Sequence, residues 1–386
     1  MAANLARYAP ALKRRLSPGE PFGLGLRLSN RDARELADGR IDGFRAFLEG
    51  EGLYVAILNG FPYGQFHRTA VKADVYAPDW RDPERLRYTL SLVDILRQLV
   101  PAGIDGGVST APLSYKGWMA SEDREGWRTI TRHVVQLVET LVRLRERDGT
   151  TIHLDIEPEP DCSIENTDET IRFFEDWLLP EGAPILARAT GSSVDRARQD
   201  LLDHVRVCFD CCHFAVEFED PAVAIERLSR SGIKIGRVQL SSAIQVDVPG
   251  GPAGETSPAL ARLRHFADPV YLHQVVERSR APADSPAADG ALRHFPDLGQ
   301  ALETTSPTDR EWRIHFHVPL FLQAYEELDS TQPYVRKVID LVRHSGLTTH
   351  LEIETYTWDV LPDALRTDLE DSIAREYRWV LDALRA

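Results

Sequence analysis

Apolar residues along the chain follow two alternating rhythms. Short runs rich in Val, Ile, Leu and Phe occupy residues 22–28, 54–59, 106–110, 151–156, 205–209, 237–240, 313–318 and 350–353. Between most of them, apolar residues recur every three or four positions, the spacing of one helix face. Asp82-Pro83-Glu84 opens one such stretch with a cap, a proline at the first helical position and an acid in the first turn. Its stripe is Leu86, Leu90, Val93, Leu96 and Val100. A second stretch runs roughly over 122–147, with Ile130, Val134, Leu137, Leu141 and Leu144 in phase and Gly149 to end it. Asp220-Pro221 opens another, closed near Gly232, and the last carries Leu369, Ile373, Val380 and Leu384.

Strand–helix alternation with short connections predicts parallel β/α architecture. Several runs are apolar without alternation, as in strands buried on both faces. About eight units predict a closed (β/α)8 barrel, a TIM barrel, as one domain over 1–386. The alternative is an open doubly wound sheet. It lacks its glycine-rich phosphate fingerprint here, because Gly23 and Gly25 sit inside an apolar run. Residues 242–310, rich in Pro, Gly, Ala and Ser, break the rhythm and read as an irregular insertion or lid holding a small hairpin over 270–276 and 291–295. A second loop, 60–80, carries Phe61, Tyr63, Phe66, His67, Lys72, Tyr76 and Trp80.

Composition narrows the function classes. A net charge of −15 opposes sequence-independent nucleic-acid binding, which needs a positive footprint. The chain has neither an apolar run of bilayer length nor an apolar leader core after Met1, so the cytoplasm is the expected compartment. Four cysteines do not make a disulfide framework.

The predicted strand ends are unusually polar. They read His153-Leu154-Asp155-Ile156-Glu157-Pro158-Glu159, Cys208-Phe209-Asp210-Cys211-Cys212-His213, Gln239-Leu240-Ser241-Ser242, His315-Phe316-His317-Val318-Pro319 and Glu352-Ile353-Glu354. In a barrel these positions form the active site. Converging carboxylates repel one another, and a divalent cation resolves that repulsion. Oxygen ligands with an imidazole suit Mn²⁺, Mg²⁺, Co²⁺ or Zn²⁺. Period-two alternation sends Asp155 with Glu157, and Glu352 with Glu354, in one direction.

Plainer readings stand beside this one. A single acid at a strand end is usually a cap or a solvated rim residue, and Glu159 and Glu352 fit that description. His315 and His317 fit core histidines bonded to backbone. Cys208, Cys211, Cys212 and His213 have zinc-like spacing but no second ligand pair, with Cys162 the one other cysteine. Buried cysteines acting as small hydrophobes suit them better.

Ile156-Glu157-Pro158, Phe209-Asp210 with His213, Val238-Gln239-Leu240-Ser241 and Ile353-Glu354 resemble the xylose-isomerase-like superfamily of sugar isomerases and epimerases. The resemblance implies one divalent metal held by Glu157, Asp210 and Glu354, with Glu157 and Glu354 also moving protons and His213 touching substrate. A narrower resemblance is carried by Asn59-Gly60-Phe61-Pro62-Tyr63-Gly64, Trp80-Arg81-Asp82-Pro83-Glu84, Tyr271-Leu272-His273-Gln274, His315-Phe316-His317-Val318-Pro319 and Glu354-Thr355-Tyr356-Thr357-Trp358-Asp359. These motifs are similar to the EboE family of Ebo-cluster metabolite-traffic proteins. That family implies a small metabolite as ligand, a link to secondary-metabolite export and membrane-protein partners.

Two departures from the pattern carry consequences. The superfamily's third metal ligand is His, and Gln239 stands there, so His317 or His315 is expected to complete the sphere. Relatives begin with an extra strand before the helix matching residues 5–16. On that reading residues 313–318 are an added segment and not a barrel strand. The expected site is therefore Glu157 and Glu354 as acid and base; Glu157, Asp210, Gln239, His317 and Glu354 around the metal; and His213, Phe61, Tyr63, His315 and Trp358 on the substrate. Metal-assisted proton transfer is the expected chemistry, with a non-catalytic metabolite-binding barrel and a metal-dependent hydrolase as alternatives.

Overall fold

The computed structural model describes residues 2–64, 72–250, 257–267, 271–280, 290–304, 309–355, 357–359, 361 and 368–386. Phe66, His67, Tyr356 and the Pro-Ala run 281–286 lie outside them. Six parallel strands follow one another in the chain: β1 (Phe22–Arg27), β2 (Leu53–Asn59), β3 (Gly106–Thr110), β4 (Ile152–Ile156), β5 (Val205–Asp210) and β6 (Ile235–Leu240). The chain then builds a second sheet from β7 (Ser242–Val248), β8 (Val275–Ser279), β9 (Leu292–Phe295), β10 (Arg310–Val318), β11 (Ala324–Tyr325) and β12 (Leu328–Ser330). It returns with β13 (Leu351–Ile353), which pairs parallel with β6.

The parallel sheet has the order β1-β2-β3-β4-β5-β6-β13 and curls into a seven-stranded β/α barrel. Among the described residues β13 and β1 share no ladder. They nonetheless face each other closely, since a Cβ on Gly25 of β1 would lie 2.2 Å from Glu352 Oε1. The outer helices Ala2–Leu16 and Leu369–Arg385 cover this seam. Arg15 joins them by pairing with Glu370 at 2.8 Å and Asp371 at 2.7 Å.

The helices end where their sequences say they should. Asp82 caps Pro83–Leu99 by accepting from Glu84 N–H, and Gly149, at φ 71°, stops Arg124–Asp148. Among the described residues no helix is long and apolar enough to cross a membrane.

The barrel strands alternate, although both faces are buried. Ile152, Leu154, Ile156, Val205, Val207, Phe209, Val238 and Leu240 pack outward in the main core. The inward set is polar. Arg237, wholly buried, pairs with Asp155 at 2.9 Å and Glu352 at 3.1 Å and donates to Leu58 O at 3.2 Å. Burial works against ionisation of Asp155, yet His153 and Arg237 beside it hold its carboxyl below the ordinary value. The barrel is thus filled by a paired charge network. β6 bulges at Gly236 to admit it, because a Cβ there would fall 1.8 Å from Asp155 Oδ1.

The insertion is more regular inside than its composition implies. Its sheet is antiparallel with order β11-β12-β7-β10-β8-β9, and it extends to Ser330. The expected hairpin is β8 with β9, Val275 opposite Phe295. Val246, Trp312, Ile314, Phe316, Phe266 and Leu298 give the sheet its own apolar core. The run 313–318, counted in sequence with the barrel strands, belongs to β10 here. Buried on both sides, it has the same apolar signature as a barrel strand, and periodicity does not tell the two apart.

Candidate metal centre at the barrel mouth

Four barrel strands deliver acids or amides to one place. Glu157 follows β4, Asp210 ends β5, Gln239 lies in β6 level with Asp210, and Glu354 follows β13. Glu157, Asp210 and Gln239 are buried and Glu354 is half-buried. Asp210 Oδ1 accepts from Ser241 Oγ at 2.7 Å and from His213 N–H at 3.0 Å. Glu354 Oε1 accepts from Asn59 Nδ2 at 3.3 Å. Their other oxygens, Asp210 Oδ2 and Glu354 Oε2, together with Glu157 Oε2, are buried and accept no hydrogen bond from a described residue. Buried carboxylate oxygens seldom go without donors.

The electrostatics agree with that geometry. Burial, then the Asp210 charge, pushes Glu157 well above the usual carboxylate range. Burial, then Glu157 and Asp210, does the same to Glu354. Burial also opposes ionisation of Asp210, but His213 and His317, with the Ser241 hydrogen bond, outweigh it and hold Asp210 below its ordinary value. Three carboxyl groups this close do not all ionise unless a cation joins them. The orphaned oxygens and the mutual repulsion fit a divalent metal.

The insertion supplies two imidazoles, His315 and His317, and the barrel a third, His213. The ladder between β10 and β7 is interrupted between Ile314 and Val318, and that irregularity holds His315, Phe316 and His317. Phe316 anchors in the second core against Phe266 and His273. His315 and His317 face the barrel mouth. His317 Nδ1 lies 2.6 Å from Glu354 O, so Nδ1 donates and Nε2 carries the lone pair. His213 Nδ1 donates to Pro158 O at 2.8 Å. Gln274 Nε2 donates to Pro160 O at 3.2 Å, which turns Gln274 Oε1 toward His315 Nδ1 at 2.8 Å. In their neutral forms His213 and His315 therefore point Nε2 lone pairs at each other across 3.1 Å, a contact that calls for a proton or cation. A carbonyl-anchored Nδ1 with Nε2 presented is how metal-binding imidazoles are oriented. Burial lowers His317 to about 4 and His315 well below the ordinary value, so both rings are neutral at neutral pH.

The expected residues divide as follows. Ligating atoms of Asp210, His213 and His317 lie within 4.8 Å of one another, as do those of Glu159, His213 and His315. Glu157, Glu354, His213, His315, His317, Phe61 and Trp358 line one cavity of about 920 Å³. Gln239 sits below it with Oε1 accepting from the Cys208 thiol at 3.0 Å, so its carbonyl is already engaged and its buried Nε2 has no acceptor among described residues. Tyr63 is not on the cavity wall. Its hydroxyl binds Glu84 at 2.7 Å and Asn30 at 2.6 Å, and its ring packs edge-on against Tyr88.

Burial pushes the thiols of Cys208, Cys211 and Cys212 up, so all three are neutral small hydrophobes. Glu159 does not lie on the rim, where its position in the sequence predicts it. It is buried, accepts from Tyr76 at 2.8 Å, and burial raises it to about 7. Asn59, the donor to Glu354, is a further site residue, and its place at the end of β2 is the signal for it.

No family model and no curated protein matches this chain. Among solved structures, a xylose isomerase-like TIM barrel protein from Mycobacterium smegmatis in complex with magnesium is similar at 14% identity and a TM-score of 0.48, over 97% of this chain and 87% of that one. A probable 3-DHS dehydratase involved in petrobactin synthesis, from Bacillus anthracis, is similar at 9% identity and a TM-score of 0.44, over 97% and 93%. The IOLI protein with a bound zinc atom is similar at 11% identity and a TM-score of 0.40, over 94% and 87%. At these identities and scores the likeness is one of shape, and the chemistry rests on the residues of this chain.

Proposed function

We propose that the barrel mouth is a divalent-metal centre that moves a proton on a small hydroxy-carbonyl metabolite, as sugar and polyol isomerases and epimerases do. The observation that supports this reading is the set of orphaned oxygens of Glu157, Asp210 and Glu354 beside His317. These four residues would hold Mn²⁺, Mg²⁺, Co²⁺ or Zn²⁺, which when bound supplies Lewis-acid polarisation of the substrate oxygens. Glu157 and Glu354 come from β4 and β13, on different sides of the mouth, and serve as base and acid on the two faces of a substrate carbon. His213, on the cavity wall, positions a substrate oxygen. Phe61 and Trp358 cover the cavity. Tyr63 supports the wall from behind. The long motifs that resemble those of Ebo-cluster metabolite-traffic proteins favour a role in cytoplasmic metabolite traffic, with secondary-metabolite export and a membrane-protein partner downstream.

A second reading is a metabolite carrier without turnover. The amide of Gln239, in the place of an imidazole ligand, favours it. Metal-dependent hydrolysis would use the same ligands.

Solvent-deuterium exchange into a panel of aldoses, ketoses and polyols separates these readings. The metal-loaded protein should exchange a carbon-bound proton on at least one member. Glu157→Gln and Glu354→Gln should each lower that rate by about 10²–10⁴-fold. Binding without exchange across the panel would support the carrier, and release of a hydrolysed product the hydrolase.

A further inference from the structure

The opposite end of the barrel carries a second set of ligating groups, independent of the mouth. Asp105 precedes β3, His153 is the second residue of β4, and His350 immediately precedes β13. His153 is wholly buried. Its Nδ1 lies 2.5 Å from Asp155 Oδ1, and Asp155 Oδ2 is held by Arg237. An ionised Asp155 accepts only, so His153 Nδ1 donates and Nε2 presents its lone pair. That Nε2 is buried with no hydrogen-bond partner among the described residues and is aimed at Asp105 Oδ2, 3.5 Å away. His350 Nε2 lies 3.0 Å from Asp105 Oδ1. The ligating atoms of the three residues all fall within 4.8 Å of one another. In a tetrahedral site with bonds of about 2.0 Å, ligand atoms stand roughly 3.3 Å apart. The rings of His153 and His350 are 5.9 Å apart and tilted by 44°, so they converge without stacking.

We infer that Asp105, His153 and His350 form a structural divalent-cation site of the zinc class. The support around it is of the kind such sites have. Asp155 orients His153 through Nδ1, and Arg206 steadies Asp105 by donating to Oδ2 at 2.8 Å. Asp105 is 30% exposed, which leaves an entry path and a position for water. Two imidazoles and a carboxylate suit Zn²⁺ or Co²⁺. The site has a mechanical purpose. β13 is the barrel strand that arrives after the second sheet and, among the described residues, has no ladder to β1. An ion on His350 ties its first end across the barrel floor to β3 and β4.

The test uses full-length protein stripped with chelator and titrated with Zn²⁺, and with Co²⁺ for its visible absorption. Wild type should take up two ions per chain. His350→Gln and Asp105→Asn should each take up one, and Asp210→Ala, which disables the mouth, should take up one with the absorption of a tetrahedral centre. Zn²⁺ should raise the Tm of Asp210→Ala and leave that of Asp210→Ala/His350→Gln unchanged. Circular dichroism verifies the fold of each variant, and agreement of His350→Gln with the nearly isosteric Asp105→Asn excludes misfolding as the cause of loss. Uptake by His350→Gln and Asp105→Asn equal to wild type would overturn the inference. So would an Asp210→Ala protein that binds none. Loss in His350→Gln but not in Asp210→Ala would uphold this site and refute the one at the mouth.

Discussion

Glu376 shows how a single buried acid sets the pH response. It lies in the C-terminal helix Leu369–Arg385, accepts from Leu320 N–H at 3.0 Å and Thr355 Oγ1 at 2.7 Å, and burial raises it from 4.5 to about 7. Its folded-state value is above its unfolded one, so the folded chain holds the proton more tightly. Its contribution to stability is intact below pH 4.5 and is lost as pH rises through about 7. The cost at higher pH is on the order of 3 kcal/mol. Glu376→Gln should therefore unfold at a higher temperature than wild type at pH 8 and at nearly the same temperature at pH 4.5, as thermal melts at the two pH values would show. Equal melts at pH 8 would contradict the assignment. Glu376 is not legible in the sequence, where it reads as one more acid on an amphipathic helix. Glu157, Asp210 and Glu354 are legible, because each stands where an apolar run stops. Glu159 is harder to read. Two residues from a strand-end acid and between prolines, it has the signature of a rim residue, and its burial comes from Tyr76 and Gln274, far away in sequence.

The element that decides the site is β10. Its register break at 315–317 turns two histidines to the barrel while Phe316 stays in the other core. Phe316→Ala should cost about 3–5 kcal/mol by opening a cavity. Because Phe316 holds its neighbours in place, the substitution should also weaken metal binding at the mouth, while leaving uptake at Asp105, His153 and His350 unchanged. Calorimetric titration of the variant reads both effects. Mouth affinity equal to wild type would mean that the bulge does not hold the ligands. The alternation of strands and helices was legible at this scale, as were the caps at Asp82 and Asp220 and the stop at Gly149. Of the second sheet, the sequence shows the β8–β9 hairpin and the run 313–318 of β10, the latter counted with the barrel strands. The strands of this sheet are separated by Pro- and Gly-rich connections, and their partners are remote in sequence, β7 with β10 and β12. Local periodicity carries no information about such pairings.

At the scale of the whole molecule, two sheets with separate cores meet over one cavity. The barrel supplies the carboxylates and His213, and the insertion supplies His315 and His317, so the proposed metal centre needs both parts. This division accounts for Gln239. The insertion presents an imidazole, His317, beside Asp210, while the amide on β6 is turned below the cavity with its carbonyl held by the Cys208 thiol. It also accounts for a barrel whose interior is charged: Asp155, Arg237 and Glu352 form the floor on which Glu157 and Glu354 stand. The most direct test of this account is metal content by elemental mass spectrometry after reconstitution with Mn²⁺, Co²⁺ or Zn²⁺, comparing wild type with Asp210→Ala. The account predicts that wild type holds one divalent ion per chain more than the variant. Equal metal in the two proteins would contradict a centre at the barrel mouth.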